Sequence, residues 1–289
     1  MPERERAPSE GWQPLVYFWD GGWVGVGTGL GIVPAHAHYA LQVTLGLGGR
    51  VAFREPDAEW IECDGAAILP NAPHSFDPRG ALLVMLFLDP ECHEGRWLRN
   101  TLRAPIHTVA AERFASFLPE LLSFRERRPA ADETSRLLTA LARSLCDGPP
   151  PLRRTDERIA RVLAWLRAQD ARAVSLEEAA REVFLSPSRF AHLFTAELGL
   201  PFRRYLLWRK LNRAMHGFGR GATLTDAAYE AGFSDSAHLT RTFYQMFGIP
   251  PTVMMGRAEF YEVQAPFEIG PPAAPAADAA GEQPGSGTW

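Results

Sequence analysis

Cysteine is scarce in this chain: Cys63, Cys92 and Cys146 are the only three in 289 residues, and no two sit at metal-ligand spacing. An odd, sparse set excludes a disulfide framework and fits a reducing compartment. Long apolar runs are missing too, since no stretch approaches the roughly 20 residues a membrane span needs. The start, Met1-Pro2-Glu3-Arg4-Glu5-Arg6, is charged and has no apolar segment, so a signal peptide is not expected. These absences point to a cytoplasmic protein with no membrane partner. An excess of positive charge is also lacking: 30 Lys+Arg stand against 34 Asp+Glu, a net of −4. That balance counts against a nucleic-acid partner only until it is divided along the chain. Residues 152–262 hold 16 basic and 12 acidic residues, whereas residues 1–151 hold 14 and 19. The basic charge is therefore gathered in one segment, as a nucleic-acid-binding domain requires.

What is present is an ordinary globular composition, 46% hydrophobic and 22% charged, in a chain long enough for two cores. Residues 12–90 read as β-rich, with short runs such as Trp23-Val24-Gly25-Val26 and Leu82 to Leu88 punctuated by Gly and Pro. The pattern predicts a sandwich or barrel over residues 1–110. Between 111 and 146 the period becomes helical. Phe114, Phe117, Leu118, Leu121 and Leu122 form one set, and Leu137, Leu138, Leu141 and Leu145 another. Two appended amphipathic helices there could pack on the barrel or serve as a dimerisation segment. Asp147-Gly148-Pro149-Pro150-Pro151 lies in a linker over 147–155. An all-helical domain follows over 156–262. Residues 265–289, rich in Pro, Ala and Gly, read as a disordered tail. The fold class expected is α+β.

The helical domain repeats itself. Ser175-Leu176-Glu177-Glu178-Ala179-Ala180 is answered by Thr223-Leu224-Thr225-Asp226-Ala227-Ala228, 48 residues on. Ser175 with Glu178, and Thr223 with Asp226, have the spacing of a capping box. The paired alanines allow two helices to cross closely. Gly232 suits a left-handed turn after the first helix, and Ser234 restarts the next. Each unit reads as a helix-turn-helix. The second helices, about 187–197 and 235–246, bury Phe190, Phe194 and Leu198, or Leu239, Phe243 and Phe247. That leaves Ser188, Arg189 and His192, then Ser236, His238, Thr240 and Arg241, facing outward. Such donors and short polar groups reach base edges and phosphates in a major groove. A spacer helix over 201–218, flanked by Arg209 and other basic residues, can set the two units about one DNA turn (~34 Å) apart. Phe184 stands where the second unit has Gly232. A bulky residue is costly at positive φ, so either another turn geometry or a longer first helix is expected there.

The stretch Gly232-Phe233-Ser234-Asp235-Ser236-Ala237-His238-Leu239-Thr240-Arg241-Thr242-Phe243, continued by Gly248-Ile249-Pro250-Pro251, resembles the second DNA-binding motif of the AraC/XylS family of bacterial transcription regulators. The resemblance implies that Ser188, Arg189, Ala191 and His192 occupy the outward positions of the first recognition helix. Ala237, Thr240 and Arg241 would occupy those of the second.

In the first half, His36-Ala37-His38-Tyr39-Ala40-Leu41-Gln42 places two imidazoles and an amide on one strand face. Gly49, Gly65 and Pro70-Asn71-Ala72-Pro73-His74 follow. The series resembles the paired motifs of cupin barrels, in which histidines and an acidic residue hold a metal. Three readings stay open for His36, His38, Gln42 and His74: a small-molecule effector site, a divalent-metal site on the three histidines, or barrel residues satisfied locally. Trp19, Trp23 and Tyr39 could line such a pocket. No cofactor is otherwise expected.

The combined expectation is a sequence-specific transcription regulator, not an enzyme, with double-stranded DNA, a small effector and a second copy of itself as partners. As an activator it would also meet RNA polymerase. The rival is a metal-dependent cupin oxygenase or isomerase with an accessory DNA-binding domain.

Overall fold

The computed structural model describes residues 14–19, 21–126, 131–146, 155–169, 174–255 and 258–262. Most of the linker expected over 147–155, and all of the tail over 265–289, lie outside the described residues.

Eleven strands are described: β1 (Leu15–Trp19), β2 (Gly22–Gly27), β3 (Val33–His36), β4 (Leu41–Leu47), β5 (Val51–Arg54), β6 (Ile61–Cys63), β7 (Gly65–Ile68), β8 (His74–Asp77), β9 (Leu82–Leu88), β10 (Ile106–Val109) and β11 (Glu259–Glu262). They form a seven-stranded sheet, β10-β7-β4-β9-β2-β1-β11, and a four-stranded sheet, β3-β8-β5-β6. The larger sheet alternates with period two. Val16 and Phe18 on β1 pack to one core, while Tyr17 and Trp19 pack to another. β9 is apolar throughout because both of its faces are covered. One core lies toward the smaller sheet, where Phe53 and Phe76 stack 4.7 Å apart.

The other core is closed by α1 (His93–Thr101), two short 3-10 turns (Ala111–Arg113, Ala115–Phe117), α2 (Leu118–Glu126) and α3 (Ala131–Ser144). Leu138, Leu141 and Leu145 are at most 4% exposed there. This stripe packs on the chain's own sheet. The first helical set also differs, for Phe114 belongs to the 3-10 turns and α2 begins at Leu118.

The helical domain comprises α4 (Glu157–Ala168), α5 (Leu176–Glu182), α6 (Pro187–Leu198), α7 (Phe202–Gly219), α8 (Leu224–Ala231), α9 (Ser236–Phe247) and α10 (Pro251–Met255). Its ends are capped as the residues dictate. Ser175 and Glu178 form a reciprocal capping box. Thr223 caps the Asp226 N–H, but the Asp226 carboxylate accepts the Thr223 hydroxyl instead of its backbone N–H. The side chain of Asp, one methylene shorter than Glu, accounts for the difference. The cap of α9 is Asp235, not Ser234, and Ser234 donates to the Asp235 carboxylate.

The last residues of the span expected to be helical, 156–262, form a strand. β11 leaves the helical domain and adds to β1 as a parallel edge strand, Leu15 opposite Glu259 through Phe18 opposite Glu262. Phe260 packs to one core and Tyr261 to the other, so the alternation of the sheet recruits it. Other contacts also join the two domains. Trp208 Nε1 donates to Asp89 at 2.7 Å, and Tyr39 meets Tyr205 edge-on at 5.8 Å.

Candidate functional site

Two places combine exposed or unsatisfied polar groups with defined geometry. The first is the pair of helices α6 and α9. In the first unit Leu185 N–H reaches Ala180 O, and in the second Phe233 N–H reaches Ala228 O, closing equivalent turns. The second turn holds one more residue before its helix. Residues of α6 therefore correspond to residues of α9 forty-nine positions on: Phe190 with Leu239, Phe194 with Phe243, Leu198 with Phe247. By the same offset Ser188 answers Ala237, Ala191 answers Thr240 and His192 answers Arg241.

Ser188, Arg189, His192, Ala237 and Arg241 are exposed, and Ala191, Ser236 and Thr240 are half-buried. Three expected contacts are otherwise engaged. The Thr240 hydroxyl donates to Ser236 O at 2.8 Å. The His238 ring stands edge-on to Phe233 at 5.2 Å, with Nδ1 3.2 Å from the Ser234 hydroxyl. Arg209 is half-buried, with Nη1 enclosed, and its charge acts on Tyr205 beside the barrel.

Phe184 settles the question of the first turn. It takes φ 56°, the same left-handed conformation as Gly232 at 83°. Neither expected alternative holds; the turn is kept and the strain is borne. Its ring is 87% exposed, with the Arg161 guanidinium 5.9 Å away.

The second place is inside the barrel. The strand expected to carry His36, His38 and Gln42 on one face is broken, because β3 ends at His36 and β4 begins at Leu41. The histidines converge by another route: β3 pairs with β8 so that His36 faces His74. A ring nitrogen of each of His36, His38 and His74 lies within 4.8 Å of those of the other two. In every case Nδ1 contacts a backbone carbonyl: Pro34 O at 2.8 Å, Ala40 O at 2.9 Å and Ala72 O at 2.9 Å. Burial and the neighbouring His38 pull the His36 pKa down to about 3. Burial likewise lowers His38 and carries His74 well below the usual histidine value. Burial thus favours the neutral rings, and in His36 and His74 the carbonyl at Nδ1 calls for the proton there.

His38 is held at both ring nitrogens. Its Nε2 lies 2.8 Å from the Gln42 amide oxygen, and the Gln42 amide N–H donates to the Thr44 hydroxyl at 2.8 Å. His38 is thereby satisfied. His74 Nε2 is buried and has no partner.

Beside this cluster is a cavity of about 30 Å³ lined by residues that include Trp23, Met85, Phe87, His36, Gln42 and Phe247. None of its described lining residues is charged. Of the aromatics expected there, Trp23 lines it, Trp19 lies in the opposite core, and Tyr39 packs on Tyr205. Sequence reasoning missed Phe247, Ile249 and Met254, which close the cavity from the helical domain. Phe247 falls on the apolar stripe of α9, and nothing in that spacing distinguishes its own domain's core from another's. The ring of Phe247 is 5.9 Å from Trp23, 5.7 Å from Phe87 and 5.9 Å from His38. Gly248, at φ 69°, then lies so close to Val33, Pro34 and His36 that a side chain would collide with them.

The geometry defines a class: a helix-turn-helix pair docked on a small β-barrel with an internal histidine cluster. Residues 179–257 match the family described as "Helix-turn-helix domain". The chain is similar to the HTH-type transcriptional activator RhaS of Escherichia coli (strain SE11), 32% identical over 113 residues, 38% of this chain and 41% of that protein. It is also similar to RhaS of Escherichia fergusonii, 34% identical over 118 residues, 40% of this chain and 41% of that protein. The chain thus spans about two-fifths of these relatives' length. The whole fold resembles ToxT from Vibrio cholerae O395, with a TM-score of 0.53 at 10% identity, covering 86% of this chain and 96% of ToxT. It resembles unsaturated fatty acid bound ToxT from strain SCE256 with a TM-score of 0.52 at 11% identity, covering 88% and 99%. No helix among the described residues is long and apolar enough to cross a membrane.

Proposed function

We propose that the chain is a sequence-specific DNA-binding transcription regulator, and not an enzyme, whose barrel senses a small molecule. The observation that carries this reading is the matched pair of helices, with Ser188, Arg189, Ala191 and His192 on one, and Ser236, Ala237, His238, Thr240 and Arg241 on the other. The differing residues at equivalent positions make two heads that read different bases. Arg209 contributes to DNA affinity through the field of α7 instead of a direct phosphate contact. The relatives are named transcriptional activators, and activation through RNA polymerase in the cytoplasm extends that name to this chain. A homodimer uses the outward faces of α2 and α3, where Leu122 is 43% exposed.

The effector site is His36, His38, Gln42 and His74 with the adjoining cavity. Fatty-acid binding by ToxT supports a ligand held within this fold. Ligand and DNA are coupled to the extent that the ligand binds one domain arrangement better than the other. The test is binding to fragments of the neighbouring promoter regions over a range of salt concentrations. A sequence-specific shift with a steep salt slope is expected; equal affinity for all fragments overturns the reading.

A second reading rests on one observation, the mutual approach of the three imidazoles. Backbone carbonyls on Nδ1 orient a histidine toward a metal in many proteins. His36, His38 and His74 would hold a divalent ion, which would supply Lewis acidity. His38 would have to give up its bond to Gln42, and there is no carboxylate in the cluster to balance the charge.

A further inference from the structure

We infer that Lys210, on α7, is a positioning residue that holds the second reading head at its working angle, while the first head is tied more loosely. This role rests on the regulator reading and adds to it the residue that sets the specificity of α9.

The duplication is longer than the helix-turn-helix. The offset that relates α6 to α9 also carries Ile159, Val162 and Leu166 of α4 onto Trp208, Leu211 and Met215 of α7, and all six are buried. α4 packs on α6 as α7 packs on α9. Each unit is therefore three helices, and Arg161 of the first stands where the second has Lys210. Both basic groups reach the turn between the two later helices of their own unit.

What they hold there differs. The Lys210 ammonium donates to Gly232 O at 2.6 Å and lies 5.9 Å from the centre of the Phe233 ring. Gly232 is the left-handed residue that ends α8, so its carbonyl is among those a helix end leaves without an intrahelical donor. A cation at this end also meets the negative pole of the helix dipole. From the other side, Phe233 N–H donates to Ala228 O. The turn is thus gripped from α7 and from α8. Lys210 is half-buried, and a hydrogen bond from a charged donor is about twice as strong as a neutral one. Asp235, just beyond Phe233, caps α9. This short stretch therefore sets the direction in which Ala237, Thr240 and Arg241 leave the domain.

In the first unit Leu185 N–H makes the equivalent bond to Ala180 O. Arg161, however, meets side chains: the Glu182 carboxylate at 3.1 Å and the Phe184 ring at 5.9 Å. Arg161 and Phe184 are both exposed. Exposed pairs of this kind contribute little and are screened by salt. α6 can therefore change its angle to α5 at small cost, whereas α9 cannot turn on α8 without breaking the Lys210 bond. The second head reads rigidly and the first adapts.

The experiment is selection of duplexes from a random pool by the full chain, followed by affinities for every single-base variant of the selected site. His192→Ala marks the bases read by α6, and Arg241→Ala those read by α9. A well-read base is worth about fivefold to a hundredfold in discrimination. Lys210→Met keeps the apolar stem beside Phe233 and removes the ammonium. It is expected to lower discrimination at the α9 bases by about threefold or more and to leave the α6 bases within about twofold. Lys210→Arg, which keeps a charged donor, should restore the wild-type pattern. Arg161→Met, the matched change in the first unit, should leave both sets within about twofold. A uniform loss across both sets is what a lost phosphate contact or a damaged fold would give, and it overturns the inference. So does an unchanged pattern. Should Lys210→Met fail to fold, amide exchange in the wild-type chain decides. Phe233 N–H is expected to exchange about tenfold more slowly than Leu185 N–H, and equal rates overturn the inference. Failure of the regulator reading is seen separately, as the absence of any base preference in the wild-type chain.

Discussion

Gly199 and Gly248 end α6 and α9 in the same left-handed conformation, at φ 79° and 69°, and only at Gly248 would a side chain run into the barrel. A Cβ at Gly199 meets nothing within 4 Å. A Cβ at Gly248 falls 2.6 Å from Val33 Cγ1, 3.0 Å from His36 Nδ1 and 3.0 Å from Pro34 O. Alanine pays the same left-handed strain at both sites, roughly 1–2 kcal/mol. At Gly248 it must also open the domain contact by about 1 Å to restore ordinary separation from Val33. Overpacking of that kind costs about 1–3 kcal/mol. Gly248→Ala is therefore expected to lose roughly 1–3 kcal/mol more than Gly199→Ala in urea unfolding followed by tryptophan fluorescence. Adding Val33→Ala removes the nearest colliding atom and should recover part of the difference, giving a coupling energy in a double-mutant cycle. Gly199→Ala with Val33→Ala should simply add. Equal costs for the two glycines, or no coupling to Val33, refutes the docked arrangement of α9 on β3.

Other perturbations test other parts of the molecule. Phe184→Gly relieves a non-glycine φ of 56° on an 87% exposed side chain; after the greater freedom of glycine in the unfolded chain is offset, about 0.5 kcal/mol of added stability is expected in denaturant titration. Arg241→Ala should weaken specific binding by roughly 1–3 kcal/mol and relax preference at one base, read by competition among operator variants. Trp208→Phe removes a hydrogen bond to a carboxylate across the domain contact, and a loss of about 1.5–3 kcal/mol is expected by thermal unfolding. Burial raises the Glu91 pKa above the usual carboxylate value. The unfolded chain then releases this proton first, so stability falls as pH rises from about 4.5 towards the folded value, by about 1.4 kcal/mol per unit. Glu91→Gln should stabilise the protein at neutral pH and lose that advantage near pH 4, as measured by urea midpoints across pH.

The helical domain was legible because its signals are local. Ser175 and Glu178 are three residues apart, and the stripes of α6 and α9 repeat within one helix. The histidine cluster was legible as a set of residues but not as a geometry. His36 and His38 were placed together for the wrong reason, an unbroken strand, and it is the pairing of β3 with β8 that joins His36 to His74. The interface between the domains was not legible. Phe247 and Trp208 have the spacing of ordinary core residues, and a hydrophobic period records burial without recording by what. β11 is only four residues long and follows a helix, and its strand character exists only because the edge of β1 lies beside it.

That edge strand has a mechanical meaning. The chain enters the helical domain after α3 and, at its far end, is bound into the same sheet from which it set out. Together with Trp208 on Asp89 and Phe247 among the barrel rings, this pairing resists rotation of the helical domain on the sheet. Any large excursion must first unzip β11. The parallel ladder admits only whole two-residue slips that keep Phe260 and Tyr261 on their own faces, so intermediate positions are excluded. The register of β11 on β1 thus ties the angle between α9 and the sheet to whole steps of the ladder.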